Sequence, residues 1–196
     1  MWFFLTIIVI LAIIALWGVG IFNRLITLRN QVKNAWSQID VQLRRRYDLI
    51  PNLVESVKGY MVHEKSTLEG VIKARNEAIA ARNAVENQGG PTESSLKQLI
   101  GAETALRGAL ANVFALSENY PELRASENMK MLQEELSSTE NRVAFARQGY
   151  NDQVLRYNTY QEQFPALLLA QTFGHHPADL YEVEEPEAKK PVQVSF

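Results

Sequence analysis

Few residues in this sequence could carry out acid–base or metal chemistry. Histidine occurs three times, at His63 and at the adjacent pair His175 and His176. A zinc-protease motif requires His-Glu-x-x-His, whereas His63-Glu64 is followed by Lys-Ser-Thr and lacks the second ligand. We therefore expect His63 to be a solvated helix residue. His175 and His176 lie in a predicted turn where no carboxylate or thiol cluster completes a metal site.

Other catalytic motifs are also missing from the sequence. It contains no cysteine, no Gly-rich phosphate loop and no Gly-x-Ser-x-Gly motif. We predict a protein that is not an enzyme and that uses no cofactor and no metal. The formal net charge is −2 at pH 7, and the basic residues are interleaved with acids. Nucleic acid is not an expected partner, because phosphate binding requires a concentrated basic face.

Two groups of charged residues lie on or beside apolar helix faces. The candidates are Asp40, Arg46 and Asp48 on the first helix and Glu140, Arg142 and Arg147 on the last. As a functional site they would form a docking surface for a membrane partner. As structure they would form a partly buried ion-pair network that fixes helix register. We favour this second interpretation, because an unpaired charge beside an apolar helix face is costly. Equal spacing from the helix ends predicts a pair between Arg46 and Glu140.

Long amphipathic helices must position these charged residues. From Leu28 to Tyr60, apolar residues recur at every third or fourth position. Such a row of apolar residues along one face, which we call a seam, is typical of a helix packed on other helices. A second seam of the same kind runs from Met129 to Tyr157. Trp36 stands on the first seam and is predicted to be a core anchor.

Pro51 interrupts the first seam and separates two possible architectures. If the helix ends there, four helices follow the N-terminal segment, at residues 23–49, 52–87, 92–119 and 126–163. Helices of these lengths can form an up-and-down antiparallel bundle. If the helix is only kinked at Pro51, three long helices result, and another copy of the protein would have to cover the remaining apolar seam. We predict an all-α protein with the four-helix bundle.

The third predicted helix contains an unusual narrow face of small residues. Gly101, Ala105 and Gly108 lie along it. A glycine inside a helix costs about 1 kcal/mol relative to alanine. The sequence therefore predicts a helix–helix contact that approaches this backbone closely.

The N-terminal segment is the most apolar part of the chain. Residues 2–22 contain Thr6 as their only clearly polar side chain, and as a helix they would span about 30 Å, the thickness of a hydrocarbon core. We predict an uncleaved membrane anchor. No lysine or arginine precedes it, whereas Arg24, Arg29 and Lys33 follow, so the positive-inside rule predicts an external N-terminus and a cytoplasmic main domain.

Two long stretches of the sequence resemble a known family. They are NAWSQIDVQLRRRYDLIPNLVESVKGY, at 34–60, and ENYPELRASENMKMLQEELSSTENRVAFARQGYNDQVLRYN, at 118–158. Both resemble the LemA family. The resemblance implies a bacterial membrane protein with one N-terminal span, a helical-bundle domain and no established catalytic activity. It includes Tyr120 and Pro121, which we expect to end one helix and begin a turn.

The resulting prediction has four parts and one leading function. The parts are an anchor (1–22), a helical bundle (23–164), a short apolar segment (165–181) and a disordered tail (182–196). The short segment is expected either in the lipid interface or against the base of the bundle. The leading function is a non-catalytic scaffold or adaptor of the bacterial inner membrane, which contacts lipid through its span and binds an unidentified protein.

Two other functions remain open. One is a self-assembling, homo-oligomeric protein that organises membrane. The other, implied only by the resemblance, is an accessory factor of a membrane protease.

Overall fold

The computed structural model describes residues 1–182, and this range contains helices and no β-strand. The helices are α1 (Trp2–Lys58), α2 (Lys65–Asn87), α3 (Glu93–Ser117), α4 (Pro121–Ala125), α5 (Glu127–Glu162) and α6 (Ala166–Thr172). The prediction of an all-α protein with an apolar N-terminal helix is confirmed. Apart from Glu182, the predicted tail lies outside the described residues.

The long helices α1, α2, α3 and α5 run alternately up and down. Trp36 of α1 contacts Tyr150 of α5, whereas Arg45, further along α1, contacts Glu135, which comes earlier on α5. The two helices are therefore antiparallel. α1 also packs against α2, and α2 against α3, and short turns join each of these consecutive pairs. This is the predicted bundle, with the short helices α4 and α6 added to it.

α1 continues through Pro51, which corrects the predicted helix boundary. The helix ends at Lys58, and the chain reverses in the turn at 59–64. The predicted helices 23–49 and 52–87 are therefore wrong at the end they share. The alternative with a continuous first helix is right about Pro51 but wrong to extend that helix to 87.

The reason that α1 continues is a hydrogen bond from the neighbouring helix. Proline has no backbone N–H, so the carbonyl oxygen four residues earlier loses its helical donor. In α1 this oxygen belongs to Tyr47, and Arg75 Nε of α2 donates to it at 2.7 Å. Pro51 itself is exposed on the surface of α1. The missing bond is thus replaced without ending the helix.

The core follows the predicted seams. Fully buried side chains include Leu25, Ile39, Leu43, Ile50, Leu53 and Val57 of α1, Leu99 and Leu106 of α3, and Tyr150 and Val154 of α5. Burying one such aliphatic side chain contributes roughly 1.5–3 kcal/mol. Trp36 is less central than predicted, because it is only partly buried and packs at the edge of the core.

The first third of α1 is exposed, unlike the rest of the helix. The large side chains of Trp2, Ile8 and Leu16 are exposed, and burial begins only at Ile21. By length and hydropathy, α1 and α3 are the two described helices that could cross a membrane, and α1 contains the more apolar stretch. α3, however, buries a leucine-rich face in the bundle, whereas the large side chains of residues 2–20 of α1 are exposed.

The small-residue face of α3 has no close neighbour among the described residues. A Cβ atom added at Gly101 or Gly108 would meet nothing within 4 Å, and both glycines are exposed. The predicted helix–helix contact at this face is therefore wrong within the described part of the chain. The apolar side chains of α3 point to the opposite face.

Candidate interaction site

Charged residues replace apolar ones at three seam positions of the bundle. Arg46 follows Leu43 in α1, Arg82 follows Ala78 in α2, and Glu103 lies between Leu99 and Leu106 in α3. Arg46 and Arg82 are buried, and the side chain of Glu103 is 11% exposed. Charges at such depth require partners, because desolvation otherwise exceeds what packing contributes.

The first buried network joins α1 to α3. Arg46 Nη1 donates to Glu103 Oε2 at 2.9 Å, and the hydroxyl group of Tyr47 donates to Glu103 Oε1 at 2.5 Å. Burial raises the pKa of Glu103 above its usual value, although Arg46 and the Tyr47 hydroxyl group act in the opposite direction. Burial, together with the charge of Glu103, also raises the pKa of Tyr47.

The predicted pair between Arg46 and Glu140 is wrong, because Arg46 binds Glu103 instead. The α1–α5 register explains the difference: Arg45, not Arg46, faces α5 and pairs with Glu135. Arg46 lies about 100° further around the helix and therefore faces α3. Glu140 is exposed and lies on the wall of the same cleft as Arg46.

The second network joins α1 to α2. Asp40 accepts hydrogen bonds from Arg44 Nε, at 2.9 Å, and from Arg82 Nε. Arg82 Nη2 also donates to Glu86 at 2.9 Å. Burial alone would lower the pKa of Arg82, but Asp40 and Glu86 raise it overall. This guanidinium group therefore remains charged and fixes the axial position of α2 along α1.

A polar cleft opens beside the first network, between α3 and α5. Its volume is ≈ 220 Å³. Its charged lining residues are Arg46, Glu103, Arg107, Glu140 and Arg147. Tyr181, from the C-terminal segment, also lines the cleft, and the guanidinium carbon of Arg147 lies 6.0 Å from the centre of its ring. The cleft is therefore bordered by the end of the described chain.

Residues 174–182, which we call the strap, run along α5 without forming a helix. Two asparagines one heptad apart on α5 bind its backbone. Asn158 accepts from the N–H of Ala178 and donates to its carbonyl oxygen, both at 2.9 Å. Asn151 binds Tyr181 in the same way, at 2.9 and 3.2 Å.

Two tyrosines of α5 complete the attachment of the strap. The Tyr150 hydroxyl group donates to the carbonyl oxygen of Asp179 at 2.8 Å, and that of Tyr157 lies 3.0 Å from His175 Nδ1. The Asp179 carboxylate in turn accepts from the backbone N–H of Glu93 at 2.9 Å, at the start of α3. The strap therefore connects α5 to α3.

His175 is buried, which its predicted position in a turn did not indicate. Its ring lies 6.1 Å from that of Tyr157 and 6.4 Å from that of Phe22. Burial lowers the pKa of His175, and the charges of Arg29 and His176 lower it further. His63 is exposed, as predicted, but it lies in the turn at 59–64 and not in a helix. Within residues 1–182, no group of three or more His, Cys, Asp or Glu residues is placed to hold a metal ion.

The remaining predicted site residues lie in different places. Trp36 packs edge-on against Tyr150, with ring centres 5.8 Å apart. Asp48, Pro51 and Arg142 are exposed. Tyr120 is partly buried, and Pro121 begins the short helix α4 where a turn was predicted, because proline is favourable at the first position of a helix. The structure thus brings together Arg46, Glu140 and Arg147 at the cleft and places Asp40 in the second network, but it leaves Asp48 and Arg142 away from both.

Sequence reasoning missed several residues of this site. Glu103 and Arg82 were detectable, because each is a charged residue at a seam position of its own helix. The seven-residue spacing of Asn151 and Asn158 was also visible. Their function was not, because the strap that they bind has no periodicity of its own.

Known proteins resemble most of this chain. The model of the LemA family matches residues 35–196. The magnetosome protein MamQ 2 of Paramagnetospirillum magneticum is 25% identical, over 87% of this chain and 68% of its own length. MamQ of Magnetospirillum gryphiswaldense is 24% identical over the same shares, and protein LemA of Metamycoplasma hominis is 27% identical over 86% and 72%. This chain belongs to the LemA family.

Proposed function

We propose that the protein is a non-catalytic adaptor, anchored in the bacterial inner membrane, that presents a helical bundle to a protein partner. The observation that carries the proposal is α1, a single helix of 57 residues whose first third is exposed and apolar and whose remainder enters the core. Side chains such as Ile8 and Leu16 suit lipid, and the start of burial at Ile21 marks the base of the bundle.

The bundle is proposed to face the cytoplasm. Arg24, Arg29 and Lys33 follow the apolar third of α1. Positively charged flanks are retained on the cytoplasmic side during insertion. An alkaline phosphatase fused to the C-terminus should therefore be inactive, and full activity would reverse the proposed orientation.

The proposed partner site is a groove between α1 and α2, in the half of the bundle far from the apolar third. Its volume is ≈ 700 Å³, and its apolar lining includes Val54, Leu68 and Ile72. Lysines and glutamates alternate along its rim, among them Lys58, Lys65, Glu69, Lys73 and Glu77. An apolar floor with mixed charge at the edges fits an amphipathic helix of another protein.

Crosslinking in native membranes tests the adaptor. The photoreactive amino acid p-benzoylphenylalanine is placed at Ile72, in the groove, or at Met131, which is 60% exposed on α5 and lies outside the groove. The proposal expects one defined adduct with another protein from Ile72 and none from Met131. In a separate experiment without the photoreactive residue, Ile72→Glu in a tagged full-length chain should abolish co-purification of that protein. Equal adducts at both positions would contradict the site.

Self-assembly is a second candidate function, favoured by the exposed small-residue face of α3. Gly101, Ala105 and Gly108 are exposed, with open space at both glycines, so a helix of a second copy could approach closely. The mass of the protein in mild detergent distinguishes the two candidates. An adaptor predicts a small species, whereas self-assembly predicts a large one that Gly101→Leu and Gly108→Leu would disperse.

A further inference from the structure

The short helix α6 has its small and large residues on unexpected sides. Ala166 and Ala170 are buried against the bundle. Leu169 packs partly buried against the core, but Leu168 is 56% exposed, and Phe164 and Phe173, which flank the helix, are 79% and 57% exposed. A helix at a water-facing surface normally buries its large apolar side chains and exposes its small or polar ones. The outer face of α6 is therefore suited to a surrounding other than water.

The position of α6 identifies that surrounding. The ring of Phe173 lies 4.8 Å from that of Phe22, at the end of the apolar third of α1. The exposed apolar surface of α6 is thus continuous with the exposed apolar surface of α1. No Asp, Glu, Lys or Arg occurs in residues 164–173, whereas Arg24 and Arg29 follow Phe22 within the next two turns of α1. Apolar side chains beside cations are the arrangement found at the boundary between acyl chains and headgroups.

We infer that α6 lies in the lipid–water interface and forms a second membrane contact, with Leu168 and Phe173 inserted among the acyl chains. The inference rests on the proposed anchoring of α1. It also joins the two predicted locations of this segment, since α6 packs on the base of the bundle through Ala166 and Ala170 and presents its other face to lipid.

Site-directed spin labelling tests the inference on the full-length chain, which contains no cysteine. Single cysteines at Ile10, Leu168 and Val62 receive a nitroxide, and the protein is reconstituted in vesicles of phosphatidylethanolamine and phosphatidylglycerol. Val62 is the matched control, because it is 67% exposed and apolar but lies in the turn at 59–64, at the end of the bundle far from the apolar third of α1. Collisions with oxygen, which concentrates in lipid, are compared with those of a water-soluble nickel chelate.

The expected result is a ratio of oxygen to nickel collisions at Leu168 that is several-fold higher than at Val62 and lower than at Ile10. If Leu168 matches Val62 while Ile10 reports lipid, the interfacial position of α6 is overturned and the anchor stands. If Ile10 also matches Val62, the anchoring proposal itself fails. If the Leu168 label is shielded from both reagents and shows spin–spin broadening that disappears on dilution with unlabelled protein, a second copy covers α6 and the inference is overturned.

Discussion

The two ion-pair networks and the strap are polar structures packed on the long helices, but they use different chemistry. The networks join α1 to α2 and α3 through charged side chains such as Arg46 and Glu103. The strap is held on α5 by neutral groups, including two asparagines that bind backbone atoms. A charged pair selects one partner and therefore one helix register, whereas an amide group satisfies whichever backbone group is placed before it. The comparison suggests that charge aligns the helices and that neutral hydrogen bonds attach the segment that is not a helix.

The largest expected effect comes from breaking the first network. Arg46→Ala leaves the Glu103 carboxylate buried without its cation and should lower the free energy of unfolding by about 3–5 kcal/mol. Arg44→Ala is the control, because the Arg44 side chain is 52% exposed and should contribute little. Denaturant unfolding of the full chain in mild detergent, followed by circular dichroism, measures both. Equal losses of unfolding free energy in Arg46→Ala and Arg44→Ala would show that the buried pair contributes no more than the exposed one.

The double substitution Arg46→Met with Glu103→Leu sharpens this prediction. It removes both charges and keeps the volume apolar, so it should recover most of the stability lost in Arg46→Ala. Failure to recover would mean that Tyr47, which then loses its acceptor, matters more than the ion pair.

An intermediate effect is expected at Pro51, where a charged donor binds a neutral backbone acceptor. Arg75→Met removes the hydrogen bond to the carbonyl oxygen of Tyr47 and should cost about 1.5–3 kcal/mol. In a Pro51→Ala background the helical N–H is restored, so the same Arg75→Met change should cost much less. A double-mutant cycle measures this coupling. An unchanged cost in both backgrounds would show that Arg75 acts through other contacts.

A smaller and more local effect is expected for the strap. Asn158→Ala removes two hydrogen bonds to Ala178 and should cost about 1–2 kcal/mol. Hydrogen exchange should increase over residues 174–182, while the amides of α1 remain protected. Asn141→Ala, on an exposed turn of the same helix, is the control and should leave the strap protected. Faster exchange across the whole bundle would contradict a separately attached strap.

The smallest effect is a difference in pH dependence within the strap. The pKa of His175 is lowered, so the unfolded chain binds this proton more readily. Its contribution to stability is complete above pH 6.5 and is lost as the pH falls through the folded-state pKa. Fluorescence of Trp36, next to Tyr181, can report detachment in a Trp2→Phe, Trp17→Phe background. The acid-induced change should be absent in His175→Gln.

Glu103 should respond to pH with the opposite sign. Its pKa is raised, so the folded state keeps this proton to higher pH than the unfolded chain. Its contribution is complete below the unfolded-state pKa and is lost as the pH rises through the folded-state pKa. Mild acid should therefore loosen the strap through His175. Over the same fall in pH, the natural protein should gain stability relative to Glu103→Gln.

The sequence was sufficient for local structure and insufficient for contacts among three helices. The seams predicted the buried faces of α1 and α5, because apolar periodicity depends on each helix alone. The Arg46 partner could not be found from α1 and α5, since the acceptor lies on α3. Pro51 was misread for a similar reason: the donor that replaces its N–H is on α2. The position of the strap could not be predicted, because it depends on hydrogen bonds from side chains of α5 and not on a pattern in the strap itself.

The uninterrupted course of α1 has a mechanical consequence. Between Phe22 and the end of the helix at Lys58 lies a rigid rod of about 55 Å. If the bilayer becomes thinner, an apolar helix adjusts by tilting. A tilt of about 10° at the lipid surface would displace the far end of such a rod by roughly 10 Å. The groove beside Val54 and Ile72, the proposed partner site, would move with it, so a change in bilayer thickness would become a change in the position of the groove.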